Sequence, residues 1–144
     1  ILWAALHVVK SAASTPGGAL SDRIGRGPTL AAGWMIYAIA YVGFAFATHA
    51  WHAWALFGVY GLYFALTEPT ERALVADFVP AERRGTAFGW FHLAVGIGVL
   101  PASVIFGLVW DGFGPRSAFL LGASLALLAA VLLAFMPRTT EPRS

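Results

Sequence analysis

The sequence predicts an all-α membrane protein, and three observations carry that prediction. Hydrophobic residues make up 59% of the 144 and charged residues only 11%, against the roughly 25% charge of an ordinary soluble domain. A surface with so little charge needs lipid as its solvent. Long runs lack charge altogether: residues 28–48, 53–67, 85–110 and 117–137. The arginines gather at the ends of those runs in Arg23/Arg26, Arg83/Arg84 and Arg138/Arg143. No basic stripe is formed, so the net charge of +2 reads as membrane topology and not as nucleic-acid binding. Without cysteine, disulfides and thiolate metal sites are excluded.

The expected elements are one partial and four full transmembrane helices. Residues 1–20 are apolar apart from His7 and Lys10, and fall short of a secure span of about 20 apolar residues. The chain opens inside this apolar run, without Met or a signal-peptide pattern, and is expected to begin part-way through a helix. A charged hinge follows at 21–27, where glycines allow a sharp turn. Pro28 suits a helix start because its missing N–H has no partner to lose there. The spans 28–48, 53–76, 85–110 and 117–137 come next. Trp51 and Trp54 are placed at headgroup level, and Pro69 and Pro101 are expected to bend their helices. The second charged loop is 77–84, a glycine-rich turn occupies 111–116, and 138–144 is a polar tail. Six arginines lie in the two charged loops and the tail, against Arg116 alone in the intervening turns. The positive-inside rule puts 21–27, 77–84 and the C-terminus in the cytoplasm.

Two helix faces and one short run hold the candidate path residues. Gly58, Gly61, Ala65, Glu68 and Arg72 recur every three or four residues, so they share one side of a helix. Small residues there allow close approach of a neighbour, and charged groups within a span face protein or a water-filled cavity. Glu68 or Glu71 then carries a proton or contacts substrate, or else Glu68 and Arg72 pair locally at i, i+4. Gly85, Gly89, His92 and Gly96 mark a second stripe. Gly85 and Gly89 form a G-x-x-x-G packing pattern, and His92 is either a titrating group or a hydrogen-bonded packing residue. In the first helix, Lys10 is placed to pair with a cavity carboxylate, to bind an anionic substrate group, or to snorkel to the interface. His49 and His52 flank a turn without a carboxylate or thiol partner, a poor basis for a metal site. No nucleophile–base–orienter set is legible, so neither an enzyme nor a cofactor is expected.

The hinge Gly18-Ala19-Leu20-Ser21-Asp22-Arg23-Ile24-Gly25-Arg26-Gly27 resembles the signature loop of the major facilitator superfamily of secondary transporters, G-x-x-x-D-(R/K)-x-G-(R/K)-(R/K). Gly18, Asp22, Arg23, Gly25 and Arg26 match, and Gly27 stands where a second basic residue is usual. The resemblance extends to Asp77–Gly89, which includes Arg84, and to the turn Trp110–Gly114. It implies the C-terminal part of a twelve-helix transporter, from the end of the eighth helix to the twelfth. It also implies a small solute moved by alternating access with proton coupling, a location in the plasma membrane, and a partner N-terminal half. Arg26 is implied to pair with Asp77, and Asp22 to face a helix N-terminus of the other half. A four-helix multidrug exporter acting as a dimer and a non-transporting membrane scaffold are the alternatives.

Overall fold

The computed structural model describes residues 1–135, so the tail 138–144 and its arginines lie outside the described residues. Five helices follow one another: α1 (Leu2–Ile24), α2 (Arg26–Ala45), α3 (Ala50–Asp77), α4 (Arg84–Phe113) and α5 (Pro115–Phe135). A single 3-10 turn, Ala81–Arg83, precedes α4. Among the described residues there is no strand. Short connections make successive helices antiparallel, so α1, α3 and α5 run one way and α2 and α4 the other.

Two of the connections are single residues. Gly25 separates α1 from α2 at φ 97°, and Gly114 separates α4 from α5 at φ 84°. Both adopt a backbone conformation that a side chain disfavours. The hinge expected over 21–27 is therefore narrower: Ser21–Ile24 complete α1, and Arg26 already opens α2. Pro28 is the third residue of α2 and not the first. It is tolerated there because the first four N–H groups of a helix have no partner within it. Asp77, expected as the start of a loop, is the last residue of α3.

By length and apolar composition, three segments suffice to cross a membrane: α2, the 3-10 turn with α4, and α5. α3, which covers the span expected at 53–76, is not among the three. α3 has 28 residues, but Trp51, His52, Trp54, Tyr60 and Tyr63 dilute its first half and Glu68, Glu71 and Arg72 its second. α1 differs from its expected partial span in the opposite sense. Its 23 residues extend about 34 Å at 1.5 Å per residue, enough length, while Lys10, Ser11, Ser14, Thr15 and Pro16 lower its apolarity.

These two less apolar helices pack on one another, α2 packs on α3 and α5, and α4 lies against α5 with a lighter contact to α3. The buried core is built from small side chains, Ala38, Ala40, Ala65, Ala118, Ala123 and Ala130, with Leu6 and Leu30. Small residues let helix backbones approach where lipid gives no hydrophobic drive for helix association. At Gly17 a Cβ would collide with the carbonyl oxygen of Ala65, and at Gly61 it would lie 3.0 Å from Val9. Buried Thr29, Thr67 and Thr70 donate to the carbonyls of Gly25, Tyr63 and Leu66 four residues back, at 2.9, 3.0 and 2.6 Å. At the far end Arg116, from the start of α5, stacks on the Phe46 ring after α2 at 4.2 Å.

The packing expected of the glycines separates into two groups. Gly61 lies at the α1–α3 contact. At Gly58, Gly85, Gly89 and Gly96 a Cβ would meet nothing within 4 Å, so these four pack no helix among the described residues. The reason is positional for the last three: α4 has no buried residue and stands at the margin of the bundle.

Gly17→Val is expected to push α1 off α3, because the obstacle is backbone and cannot rotate away. Overpacking of this kind costs about 1–3 kcal/mol, read as a lowered thermal midpoint. Gly58→Ala should be neutral or gain up to ~1 kcal/mol of helix propensity; equal destabilisation by both would refute the close-contact assignment.

Candidate functional site

Two groups of charges lie on α1, α2 and α3, one at the Gly25 end and one within the α1–α3 interface. Arg26 is the centre of the first. Its Nη1 donates to Asp22 Oδ1 at 2.6 Å and to Ser21 Oγ at 3.1 Å, and its Nε donates to Asp77 Oδ2 at 3.1 Å. Asp22 and Ser21 belong to the last turn of α1, Arg26 is the first residue of α2, and Asp77 is the last of α3. One guanidinium thus ties three helix ends together. The positive φ of Gly25 makes this possible, since it starts α2 one residue after α1 ends and turns Arg26 back over the last turn.

Helix electrostatics sharpen the point. A cation at a helix N-terminus and a carboxylate at a C-terminus are each unfavourably placed in the helix dipole. Arg26, Asp22 and Asp77 are all placed in that way. Each is compensated by the others and not by its own helix. Arg26 is 26% exposed, Asp22 67% and Asp77 56%, so each pair contributes only about 0.2–1 kcal/mol. The pairing of Arg26 with Asp77 implied by the resemblance is present as a contact. Asp22 is exposed, with one of its oxygens paired to Arg26 of its own chain. Arg23 and Arg84 are exposed, and neither makes an ion pair among the described residues. Gly18 lies within α1, where a Cβ would come 3.9 Å from the Pro69 side chain, an ordinary contact.

The second group joins α1 to α3. Lys10 Nζ lies 2.7 Å from Glu68 Oε1, with the side chains 22% and 36% exposed. The ammonium also sits 5.4 Å from the centre of the Phe64 ring, one turn before Glu68, within reach of a cation–π attraction. Of the alternatives for Lys10, the carboxylate pair is the one formed. The local Glu68–Arg72 pair is absent: Arg72 is exposed and Glu68 turns to the neighbouring helix. The physical reason is solvation. A surface i, i+4 pair is worth a few tenths of a kcal/mol, whereas Lys10 is held between helices, where screening is weaker and an uncompensated charge costs more. Glu71 is half-buried and has no ion-pair partner among the described residues. His92 is exposed on α4, with its ring 5.3 Å from Phe91. It is apart from both charge groups and makes no hydrogen bond among the described residues, so it fits neither packing residue nor path residue within this chain.

An aromatic cluster escaped the sequence reading. Tyr37 and Tyr41 of α2 stack at 4.0 Å, Tyr60 and Tyr63 of α3 stack at 5.5 Å, and Tyr37 meets Tyr63 edge-on at 5.1 Å. The spacings Y-x-x-x-Y and Y-x-x-Y put each pair on one helix face and were the available signal. Tyr37 and Tyr63 also border an open cavity of about 550 Å³ between α2, α4 and α5, lined further by Trp34, Pro101, Phe106 and Leu121. Its wall is mostly apolar. Among the described residues no His, Asp and Glu are grouped to hold a metal ion.

Comparison with known proteins bears on these features. The family model described as Major Facilitator Superfamily matches residues 2–144. An uncharacterised MFS-type transporter of Methanocaldococcus jannaschii is 36% identical over 94% of this chain and 34% of its own length. The multi-drug resistance efflux pump PmrA of Streptococcus pneumoniae is 33% identical, covering 87% of this chain and 31% of the pump. The class B tetracycline resistance protein of Escherichia coli is 28% identical, covering 86% and 30%. The chain thus spans about a third of the length of these relatives. Members of this family are integral membrane proteins that act on small molecules in the lipid bilayer and are transporters, not enzymes. A match over almost every residue, on a chain whose hinge is built as described, leads to one assignment: this chain belongs to the major facilitator superfamily.

Proposed function

We propose that the chain forms part of the C-terminal half of a twelve-helix transporter that moves a small solute by alternating access, coupled to protons. α1 to α5 would be its eighth to twelfth helices, and the N-terminal half would supply the facing cavity wall. The observation that carries this reading is the Lys10–Glu68 pair. In so apolar a chain, half-buried charges placed between two helices are costly, and such groups characteristically mark a path for ions or substrate. Glu71, one turn along, supplies a second carboxylate without a fixed counter-ion. In this reading Lys10, Glu68 and Glu71 line the path, Arg72 borders its cytoplasmic end, and His92 enters it only where another part of the transporter reaches α4.

Arg26 with Asp22 and Asp77 is the gate element. Two weak, exposed ion pairs suit a gate better than a strong one: about 1 kcal/mol shifts a balanced two-state equilibrium several-fold without locking it. Gly18, Gly25 and the exposed Arg23 and Arg84 set the geometry and charge around it. The segments 21–27 and 77–84 and the C-terminus face the cytoplasm in this reading, on the arginine distribution, and the membrane is the plasma membrane.

Three outcomes test this reading. In the cysteine-free chain, placed in its full-length protein without other cysteines, Ala50→Cys should react with an impermeant thiol reagent from outside intact cells and Ala81→Cys should not; the reverse pattern inverts the topology. Arg26→Ala should bias the protein toward inward-open, read as raised cytoplasmic-side accessibility and reduced transport, and the exchange Arg26→Asp/Asp77→Arg should restore part of both. Unchanged transport and accessibility in Arg26→Ala would eliminate the gate. Glu68→Gln strands the Lys10 ammonium and should lower stability by about 1–3 kcal/mol, with Lys10→Met/Glu68→Leu recovering stability but not proton-driven transport. Wild-type pH dependence of transport in both Glu68→Gln and Glu71→Gln would leave the pair a purely structural role.

A further inference from the structure

The turn between α2 and α3 lies at the end of the bundle opposite Arg26, and His52 holds it by an unusual hydrogen-bond pattern. His52 is the third residue of α3. Its Nδ1 accepts from the backbone N–H of Thr48 at 3.1 Å and from that of His49, the residue preceding the helix, at 3.3 Å. One ring nitrogen thus serves two backbone donors of the turn. The His52 ring also packs edge-on against Trp51 at 4.2 Å and against His49 at 5.2 Å.

We propose that His52 is a pH-sensitive cap on the α2–α3 turn. Only the neutral imidazole with its proton on Nε2 has a lone pair on Nδ1 to accept these two bonds. The imidazolium carries a proton on both nitrogens and accepts none. It also places a positive charge in the first turn of α3, against the helix dipole. Histidine changes charge between about pH 5 and 8, so acidification removes both bonds and opposes the helix start at once.

The surrounding charges reinforce this sense. Arg116 of α5 lies at the same end, stacked on Phe46. His49 Nδ1 is 2.9 Å from Thr48 Oγ1, and its own protonation adds a second cation to the turn. α4 brings Asp111 to this end, but neither histidine forms an ion pair with it or any other carboxylate among the described residues. α1 brings His7, whose ring packs on Trp3 at 5.4 Å. Acid form and open turn are therefore coupled: the amides of Thr48 and His49 reach water, and the first turn of α3, with Trp51, loosens. This inference stands on the geometry of the turn and is independent of the transport reading.

The test is hydrogen–deuterium exchange of the 46–53 segment in the full-length protein in lipid nanodiscs, at pH 7.5 and 5.5, with protection corrected for the intrinsic pH dependence of exchange. Wild-type protection should fall about tenfold in acid, the effect of losing one to two net hydrogen bonds. His52→Asp supplies a carboxylate acceptor that stays ionised at both pH values and suits a helix N-terminus, so its protection should be the same at both. His49→Gln should retain the acid loss, and His52→Ala should be poorly protected throughout. Wild-type protection that does not change with pH, or an equal acid loss in His52→Asp, overturns the proposal. Disappearance of the acid loss in His49→Gln overturns it as well, by assigning the titration to the other histidine.

Discussion

The end of the bundle is organised by one guanidinium. Arg26, Asp22 and Asp77 are each set at the helix end where the backbone dipole disfavours their sign, and they are stable there because they face one another. Removing Arg26 leaves both carboxylates opposed by their own helices, whereas removing either carboxylate leaves Arg26 paired with the other. The cluster therefore depends on Arg26 above its partners, and that dependence runs through Gly25. The φ of 97° at that residue brings the start of α2 back over the end of α1. A residue with a side chain there would strain the backbone and move Arg26 away from both carboxylates.

The same helices carry the interior pair. α1 and α3 approach closely because Gly17 and Gly61 place no side chain between the backbones, and that approach brings Lys10 within 2.7 Å of Glu68. Close backbone packing and the ion pair are thus one feature. A shift of α1 against α3 would lengthen the Lys10–Glu68 contact in the interior and alter the geometry around Arg26 at the end. The charges that make these two helices less apolar than their neighbours are the charges they share.

α2 and α3 also meet through tyrosines, which offer large faces for packing while keeping a hydroxyl. α4 joins this cluster through Phe106, which meets Tyr41 edge-on at 6.4 Å. It leaves Trp90, Leu93, Leu100 and Leu108 exposed, an apolar surface that water would not tolerate but lipid or another transmembrane helix would.

Composition and the long uncharged runs determined that this is a helical membrane protein, because so few charges cannot cover a water-exposed surface and runs of that length cross lipid as helices. The positions of Gly25 and Gly114, the uncharged runs and the arginine pairs determined where the chain turns, to within a few residues. The hinge motif pointed to the family, since it is a local pattern of residue type, and the Arg26–Asp77 contact followed only from that resemblance. What only the tertiary structure decided is partnership. Glu68 has Arg72 on its own helix and Lys10 fifty-eight positions away, and sequence spacing favours the near one. The packing of α1 on α3 selects the distant one, because it holds that cation where screening is weak. Gly58 and Gly61 look alike in sequence, yet only Gly61 has a helix against it. The double hydrogen bond of His52 was equally hidden, because a three-residue spacing between histidines does not say which ring nitrogen meets the backbone.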